Sequence, residues 1–280
     1  MKTIEKDNAI FQSAEYKKDK YLFMILEKKI NHEDVKIMSD ENNYVIANES
    51  MEMPTWIWTK DNFDKSKLKE IEDVIRLYLV KDKMTFIWKK ELYNALLEDN
   101  FELIDKSDYF ELWFMKCEKL KETKPNDWWV DRAKPEEREM IANYIFAFNY
   151  FMDKSVFNPE DKSEKEFRQE CLEHADEEIN SDRFFVLRNS KGKIVSMAHY
   201  KINADWTAKV GLVYTPEEER GKGYAAKLVH EITKIILDKW YVPVLYTDQN
   251  YPNSNKAYAN AGYENGGTLV SFSLTKTGQH

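Results

Sequence analysis

Glycine is absent from the first 191 residues of this 280-residue chain, and all eight glycines lie at or after Gly192. Loops that hold a phosphate depend on glycine, because their backbone adopts left-handed conformations and approaches the ligand closely. The N-terminal two-thirds of the sequence therefore contain no glycine-built anion-binding loop. Any phosphate-binding chemistry is predicted to lie in the C-terminal third.

Cysteine is also scarce, with only Cys117 and Cys171 present. Two cysteines are too few for a disulfide framework or a cysteine-built zinc site, and they predict reduced, buried or half-buried thiols. The N-terminus, Met1 to Glu5, has no apolar leader region, and no apolar run approaches membrane-spanning length. We therefore expect a cytoplasmic protein with no membrane partner and no metal site.

Basic side chains are not in excess either. Lysine and arginine number 42 against 50 aspartates and glutamates, which gives a net charge of −8. This balance argues against nucleic acid as a partner, because non-specific binding to nucleic acid depends on basic side chains. What is present is a hydrophobic fraction of 42% with 14% aromatics. That is ample for packed cores, and the chain is long enough for one large or two ordinary domains.

The stretch from Val210 to Val229 is the most informative part of the sequence. A β-branched run, Val210–Thr215, is followed by a proline, three glutamates and a turn that contains Gly221 and Gly223. From Tyr224 onward, apolar residues recur at helical spacing. This order predicts a strand, a short loop and a helix with the glycines at its entrance. Such a helix start exposes unbonded N–H groups at the positive end of the helix dipole and suits an anion such as a pyrophosphate. A plain structural turn is the alternative.

Two nucleotide-binding motifs do not fit this turn. The sequence has no G-x-x-x-x-G-K-[ST] loop, and Gly221-Lys222-Gly223 is followed by Tyr-Ala-Ala, without the third glycine of G-x-G-x-x-G. The segment Arg220–Ala225 instead resembles the R-x-x-G-x-A signature of the GNAT superfamily of acyl-CoA N-acyltransferases. The segment Leu245–Glu264 resembles the second signature of that family, a strand, an N-x-x-S loop, a helix with L-Y and then L-G-[FY].

Periodicity and turn residues predict helices and strands along the whole chain. The predicted helices are 12–32, 63–79, 91–98, 135–153, 160–179, 222–238 and 254–260. The predicted strands are 34–38, 43–47, 55–59, 84–88, 109–115, 184–188, 194–202, 208–215, 242–247 and 268–274. The segment 119–135 has the composition of a linker.

The order of the predicted elements after residue 135 is that of the GNAT fold. The resemblance implies an α+β fold, that is, an α/β sandwich with a mixed, mostly antiparallel sheet flanked by helices. The earlier elements follow a similar order but lack the glycine turn, so two tandem domains are expected. Residues 126–280 are expected to be a GNAT acetyltransferase domain, and residues 1–122 a degenerate GNAT-like domain or an unrelated α+β domain.

The resemblance also implies roles for individual residues. Backbone N–H groups hold the pyrophosphate of acetyl-CoA, and the side chains of Arg220 and Lys222 assist electrostatically. Leu212, Val213 and Tyr214 align the pantetheine arm, a role assigned by position alone. The residues implied to provide the N–H groups are Gly221, Lys222, Gly223, Tyr224, Ala225 and Ala226.

A general acid is implied in the second signature. Tyr258 projects from a short helix that Asn253 or Ser254 is predicted to cap and Gly262 to end. The resemblance implies that Tyr258 protonates the departing CoA thiolate, and a packing tyrosine is the alternative.

The sequence departs from the family pattern in two places. The asparagine that usually binds pantetheine aligns with Tyr251, and the flanking Asn250 and Asn253 could substitute for it. Where many relatives carry a glutamate as general base, this chain has Tyr246.

Other ionisable candidates for a base are His199, Asp205 and Glu264, and a water chain to bulk solvent is an alternative. His199 lies in an alternating, half-buried strand, where a hydrogen-bonded structural histidine is favoured over a catalytic one. The acidic run Glu217–Glu219 is interpreted as a solvated loop.

The tryptophans are interpreted as structural. Trp56 and Trp58, with Trp88 and Trp113, are expected in the core of the N-terminal half. Trp128 and Trp129 are expected to pack the two domains together, with a place in the wall of the acceptor cleft as the alternative.

Together these observations predict an acetyl-CoA-dependent N-acetyltransferase. It would transfer an acetyl group directly to a small primary amine in a ternary complex. The alternative is a non-catalytic acyl-CoA-binding regulatory protein. The acceptor, the preferred acyl chain and the oligomeric state are left open.

Overall fold

A computed structural model of the chain describes residues 1–50, 53–78, 83–98, 104–123, 126–152, 163–203 and 206–275. Within them the helices are α1 (Ala14–Asp19), α2 (Met24–Lys29), α3 (Leu68–Tyr78), α4 (Lys90–Glu98), α5 (Arg138–Met152), α6 (Glu164–Asn180), α7 (Tyr224–Asp238) and α8 (Pro252–Ala261). The strands are β1 (Lys2–Thr3), β2 (Lys36–Ser39), β3 (Tyr44–Asn48), β4 (Thr55–Thr59), β5 (Lys83–Lys89), β6 (Ile104–Lys116), β7 (Trp129–Asp131), β8 (Phe184–Arg188), β9 (Ile194–Ile202), β10 (Thr207–Tyr214), β11 (Val242–Asp248) and β12 (Glu264–Thr275).

The chain divides into two compact units. The N-terminal unit comprises Met1–Phe114 with Asp248–Asn250 and Asn265–His280, and the C-terminal unit comprises Met115–Thr247 with Tyr251–Glu264. The last part of the sequence therefore returns to the N-terminal unit. The expected domain boundaries, 1–122 and 126–280, stay a prediction.

In the N-terminal unit, β1 to β4 form an antiparallel ladder in chain order, and β5 runs parallel to β4. Strand β12 continues the sheet antiparallel to β5. The apolar faces of α3 and α4 pack against these strands in a core that includes Ile75, Phe86, Trp88, Leu92 and Phe272. This is the predicted α+β class, with a mixed and mostly antiparallel sheet.

The tryptophans of the N-terminal half are largely buried, as predicted. Trp56, Trp58 and Trp88 are at most 2% exposed, whereas Trp113 is half-buried. Trp88 lies in the core described above, but the rings of Trp58 and Trp56 pack on Tyr16 and Phe23, with centroids 5.0 and 6.3 Å apart.

The predicted first helix, 12–32, is wrong. A 3-10 turn at Ala9–Gln12 precedes the short helices α1 and α2. Ser13 starts α1 afresh, because its side chain accepts a hydrogen bond from the amide of Tyr16 at 3.1 Å. Phe23 then leaves helical geometry, with φ −106° and ψ 28°.

In the C-terminal unit, β7 to β10 form an antiparallel ladder in chain order, and β11 runs parallel to β10. Helices α5 and α6 share a core with β8 and β9 that includes Ile141, Ile145, Phe167, Cys171 and Met197. Helix α7 packs against β8, β9 and β10. Its buried apolar residues recur at helical spacing, as the sequence predicted, and are Leu228, Val229, Ile232 and Ile236.

The predicted linker 119–135 contains β7, so that part of the prediction is wrong. The strand is fixed by Arg188 of β8, whose buried guanidinium donates to Asp131 at 2.8 Å and to Glu137 at 2.7 Å. The hydrogen bond from Arg188 lowers the pKa of Asp131, against the smaller opposing effect of burial. A buried arginine thus needs both carboxylates, and it holds the segment on the sheet.

Several other boundaries match closely or shift by a few residues. Strands β4, β8 and β9 have the predicted bounds. Helix α6 begins at Glu164 behind Ser163, which accepts from the amide of Glu166 at 3.3 Å. The predicted start of that helix, 160–162, lies outside the described residues. No helix in the described ranges is both long and apolar enough to cross a membrane.

Candidate functional site

The turn between β10 and α7 has the predicted glycine geometry. Gly221 and Gly223 have φ values of 77° and 87°, in the left-handed region that favours glycine. Gly223 is the N-cap residue immediately before α7, and no side chain caps the helix there. A Cβ placed on either glycine would have no protein atom within 4 Å. The turn therefore faces open space on the side where a ligand would approach.

Several backbone amides at this helix start have no helical hydrogen-bond partner. The first amide to bond back is that of Lys227, which donates to the carbonyl of Gly223 at 3.1 Å. The amides of residues 221–226 precede this bond and have no carbonyl of an earlier helical turn to pair with. The helix runs 15 residues to Asp238, so its dipole adds positive potential at the same place.

The charged side chains around the turn are organised by Glu219. This residue is only 8% exposed, and its carboxylate accepts from Lys193 at 2.8 Å and from Lys222 at 2.7 Å. These two hydrogen bonds lower the pKa of Glu219. The interpretation of the whole acidic run as solvated is therefore wrong for Glu219, because two lysines hold it inward.

The two basic side chains assigned to the pyrophosphate make local contacts. Lys222 also donates to the carbonyl of Glu218 at 3.1 Å, and Arg220 Nε donates to the carbonyl of Thr215 at 3.1 Å. Both side chains are exposed at the rim of the turn. Their electrostatic role stays a prediction.

An aromatic pair closes one side of the helix start. The ring of Trp128 packs edge-on against Tyr224, the first residue of α7, with centroids 4.4 Å apart. Tyr224 is 8% exposed. This contact of Trp128 lies within the C-terminal unit, whereas Trp129 is 44% exposed on β7. The predicted interdomain role of these tryptophans stays a prediction.

Strand β10 is irregular where pantetheine was expected to align. Leu212 has a φ of 52°, and the register against β9 shifts between Gly211 and Tyr214, which marks a β-bulge. The parallel ladder with β11 ends at Lys209 opposite Val244. The backbone groups of Val213 and neighbouring residues that face β11 are therefore not consumed by that ladder.

Two of the three strand residues also have packing roles. Leu212 is 7% exposed and belongs to the core beneath α5 and α6, and Tyr214 is half-buried against Tyr144. The carbonyl of Tyr214 accepts a hydrogen bond from Ser196 at 2.9 Å. The side chains of Leu212 and Tyr214 therefore pack in the core. This agrees with a predicted role in which only their main-chain groups would contact pantetheine.

The proposed general acid, Tyr258, lies on α8. It is 9% exposed, and its ring stands edge-on to that of Tyr263 at 6.2 Å. Burial raises the pKa of Tyr258 to about 12. The hydroxyl therefore keeps its proton at neutral pH, which is what a proton donor to a thiolate requires.

Helix α8 is held at both ends. Asn255, which the sequence analysis did not single out, accepts at Oδ1 a 2.7 Å hydrogen bond from Thr247 at the end of β11. Gly262 ends the helix with a φ of 113°, as predicted, and a Cβ there would lie 2.5 Å from the carbonyl of Lys119. The start is different from the prediction, because Tyr251 rather than Asn253 or Ser254 occupies the cap position before Pro252.

The substitute asparagines lie in the turn after β11. The amide of Asn250 donates to Asp248 at 2.8 Å, and Asn253 is exposed on the first turn of α8. Tyr251, which aligns with the family asparagine, is 39% exposed. A role for either asparagine in cofactor binding stays a prediction.

His199 makes the strongest polar contact among the candidate bases. Its Nδ1 lies 2.7 Å from Oε1 of Glu178 on α6, and the same oxygen lies 3.2 Å from Nε2 of His174. Burial opposes ionisation of Glu178, but the hydrogen bonds from the two histidines prevail and lower its pKa to about 2. Sequence reasoning missed Glu178, which is 21 residues from its partner.

The other residues considered as a general base are Tyr246, Glu264 and Asp205. Tyr246 is half-buried on β11, Glu264 is exposed, and Asp205 lies outside the described residues. No group of three or more metal-ligating side chains occurs in the part of the chain that the structure describes.

Residues 146–263 match the model of the acetyltransferase (GNAT) family. That match spans the glycine turn, the bulged strand and Tyr258. No curated protein matches this sequence.

Solved structures share the fold over nearly the whole chain. An acetyltransferase of the GNAT family from Colwellia psychrerythraea superimposes with a TM-score of 0.59 at 15% identity, covering 98% of this chain and 99% of its own. A GCN5-related N-acetyltransferase from Kribbella flavida gives 0.58 at 18% identity, with 95% and 96% covered. At such identities the likeness concerns the fold alone, and it extends over both units.

Proposed function

We propose, from the premise that residues 146–263 are a GNAT acetyltransferase domain, that this protein is an acetyl-CoA-dependent N-acetyltransferase. It transfers an acetyl group directly to a small primary amine while both substrates are bound. Residues 126–280 are the proposed catalytic domain. The net charge of −8 favours a cationic amine over a nucleic acid as acceptor. Cys117 and Cys171 are buried and form no disulfide, which agrees with a cytoplasmic setting.

The open helix start at Gly221 and Gly223 is the observation that carries this proposal. Six consecutive amides, those of residues 221–226, precede the first helical hydrogen bond, and no side chain caps them. The space before both glycines is open within 4 Å. A diphosphate is the group that such an arrangement suits, because N–H donors and the dipole both favour an anion.

The roles proposed for the bulged strand and for Tyr258 depend on this diphosphate site. The bulged strand at Leu212–Tyr214, released from β11 after Lys209, offers main-chain groups along which an extended amide-containing arm can bind. Acetyl-CoA supplies the activated acyl thioester. Tyr258, protonated at neutral pH, is the proposed proton donor to the departing thiolate.

Binding of acetyl-CoA is tested first, and acetyl transfer to amines is tested second. The full chain is heated with and without millimolar acetyl-CoA, and we expect a clear rise in melting temperature because the cosubstrate binds only the folded state. Spermidine, tyramine, glucosamine and lysine are then supplied with acetyl-CoA, and free CoA thiol is measured. Release of thiol with formation of the acetylated amine supports the proposal.

The contrary outcomes are distinct. No thermal shift with acetyl-CoA would remove the acyltransferase proposal. A shift without thiol release across a broad amine panel would instead favour a non-catalytic acyl-CoA-binding regulatory protein, a function that the replacement of the family glutamate by Tyr246 would then explain.

A further inference from the structure

His199 is held as a carboxylate-bound imidazole. Its side chain is 10% exposed, and Nδ1 lies 2.7 Å from the buried, ionised carboxylate of Glu178. An ionised carboxylate only accepts hydrogen bonds, so Nδ1 carries the proton that it donates. Nε2, the other ring nitrogen, is then the atom with a lone pair. The same carboxylate oxygen also lies 3.2 Å from Nε2 of His174.

Nε2 points at the strand that carries the bulge. An ideal Cβ on Gly211 would lie 2.9 Å from Nε2 of His199 and 3.3 Å from its Cδ2. Gly211 is not in a left-handed conformation, so its backbone does not require glycine. Glycine in a strand otherwise weakens it, and a close approach is the usual reason for its presence. Gly211 therefore makes room for this ring.

The position of Nε2 places it next to the proposed acyl site. Gly211 directly precedes Leu212, where β10 bulges and where the acyl-pantetheine arm is proposed to bind. No hydrogen-bond partner of Nε2 occurs among the described residues, and this nitrogen is not one of the fully buried, unpaired polar atoms. It is an accepting nitrogen that remains reachable beside the proposed thioester site.

We propose that His199 is the general base of the reaction and that Glu178 is a positioning residue that fixes its tautomer. This inference rests on the proposed function. Nε2 takes one proton from the acceptor's ammonium group, which leaves a neutral amine whose nitrogen bonds to the acyl carbon as the carbon–sulfur bond breaks. The thiolate takes the proton of Tyr258, and the second amine proton replaces it. The proton on His199 is released, so the products are the amide, free CoA thiol and one proton.

The surroundings of His199 contain few other titrating groups. From α6 it is faced by Glu178 and, through that carboxylate, by His174. Its neighbours in register on β8 and β10 are Phe184 and Gly211, which do not titrate. Among the described residues, the titratable groups that face His199 are therefore Glu178 and, through it, His174.

Three variants separate this role from a structural one. His199→Asn keeps a nitrogen that can donate to Glu178 but removes Nε2. Glu178→Gln keeps the shape but can donate to Nδ1 and so favours the wrong tautomer, as in other imidazole–carboxylate pairs. His174→Ala is the matched control, because it removes the other histidine on the same carboxylate.

Each variant is assayed with the amine that the wild type acetylates fastest in the panel above. For His199→Asn and Glu178→Gln we expect kcat/KM to fall about 100-fold or more, the usual contribution of general-base catalysis. The acid limb of the kcat/KM profile against pH should disappear in His199→Asn and persist in His174→Ala. The KM for acetyl-CoA and the thermal shift should stay near wild type in all three.

A second measurement does not require turnover. Nitrogen NMR of the imidazoles in the wild type should show the neutral ring of His199 protonated at Nδ1 and bare at Nε2, and Glu178→Gln should change that pattern. A wild-type ring protonated at Nε2, or a His199→Asn enzyme with an unchanged rate and pH profile, overturns the assignment while leaving the acetyltransferase proposal standing. A wild type that binds acetyl-CoA but acetylates no amine overturns both.

Discussion

Each unit has a turn between the first strand of its parallel pair and the helix that follows, and the two turns differ in chemistry. In each, an antiparallel run of strands ends in a parallel pair, β4 with β5 and β10 with β11, and a helix connects the two strands of the pair. The connection from β4 to α3 uses Asn62 at a φ of 54°, whereas the connection from β10 to α7 uses Gly221 and Gly223. Asparagine is the side chain that best tolerates this conformation after glycine. Both connections thus contain left-handed backbone, but only the C-terminal one places glycine there.

The difference lies in what occupies the helix start. In the N-terminal unit, Asp64 caps the 3-10 turn Lys65–Lys67 that leads into α3, and its carboxylate accepts from the amide of Ser66 at 2.9 Å. Beside it, Asp61 accepts from Lys89 at 2.8 Å, and Lys18 pairs with Asp61 as well. The C-terminal helix start has no such cap. The N-terminal turn thus caps its helix start with its own carboxylate, whereas no side chain caps the C-terminal helix start, which is where we propose that an external anion binds.

The largest effect is expected from Lys89→Met, on β5 beside the closed turn, which is the connection from β4 to α3 that contains Asp61 and Asp64. The Lys89 side chain is 6% exposed and pairs with Asp19 and Asp61, so its loss leaves the buried carboxylate of Asp19 without its cation. Breaking a buried pair in this way costs about 3 kcal/mol or more. Urea unfolding followed by the fluorescence of the buried tryptophans measures the loss.

Lys18→Met is the matched control for Lys89→Met. Lys18 also pairs with Asp61, but its side chain is 68% exposed, so a much smaller loss of stability is expected. Affinity for acetyl-CoA should be unchanged in both folded variants. A Lys89→Met protein that stays folded yet no longer binds acetyl-CoA would contradict the view that the N-terminal turn is closed to the cosubstrate.

The second largest effect is expected on acetyl-CoA binding at the open turn, which is the connection from β10 to α7 that contains Gly221 and Gly223. Replacing Gly221 and Gly223 together by valine places branched side chains where the phosphate is proposed to approach and forces left-handed backbone on residues that resist it. We expect acetyl-CoA affinity to fall by about 100-fold, a loss of about 2.7 kcal/mol in binding free energy. Isothermal titration calorimetry measures the affinity.

Gly192→Val is the control for backbone strain alone. Gly192 has a φ of 78° and open space around it, like the two glycines of the turn, but it lies between β8 and β9. The Gly192→Val variant should therefore be less stable than the wild type but bind acetyl-CoA with the same affinity. If the double variant kept full affinity for acetyl-CoA, the proposed diphosphate site at the start of α7 would be refuted, and the proposed function depends on that site.

Sequence patterns could predict the elements whose signals are local. Strands β4, β8 and β9 alternate or run apolar between turn residues, so their bounds were predictable from neighbours alone. The glycine turn was predictable for the same reason, because a left-handed helix entrance needs glycine at a fixed place in the sequence. The domain match at residues 146–263 agrees with what those residues indicated.

Features that depend on distant partners could not be predicted in this way. Strand β7 has only three residues, and the guanidinium of Arg188 that holds Asp131 lies 57 residues away. The Glu178–His199 contact likewise joins a helix face to a strand face, and the sequence of neither segment indicates that the other is its partner. Burial of Glu219 depends on Lys193, 26 residues earlier, so the run of three glutamates looked uniformly solvated.

The helices that come after the parallel pairs extend the comparison to catalysis. Tyr258 on α8 is the proposed acid, whereas Tyr93 on α4 is 7% exposed and packs against Tyr109 and Phe272 in the N-terminal core. Tyr258→Phe removes the transferable proton but keeps the ring, so kcat should fall by about 10-fold or more with acetyl-CoA affinity unchanged. Steady-state kinetics and calorimetry give the two quantities. Tyr93→Phe, the control, should change neither, and an equal kcat for Tyr258→Phe would remove this tyrosine from the mechanism.

The smallest effect is expected from Asp64→Ala, and it decides whether the two turns are exchangeable. Loss of the cap leaves the amide of Ser66 to water, so the urea midpoint should drop slightly with an unchanged slope. Opening this amide does not create a second anion site, because Asn62 still carries its side chain and Asp61 still places a carboxylate beside the helix start. Calorimetry should therefore give one acetyl-CoA per chain in the wild type and in Asp64→Ala alike. Two per chain in the variant would mean that a single carboxylate is all that separates the closed turn from the open one.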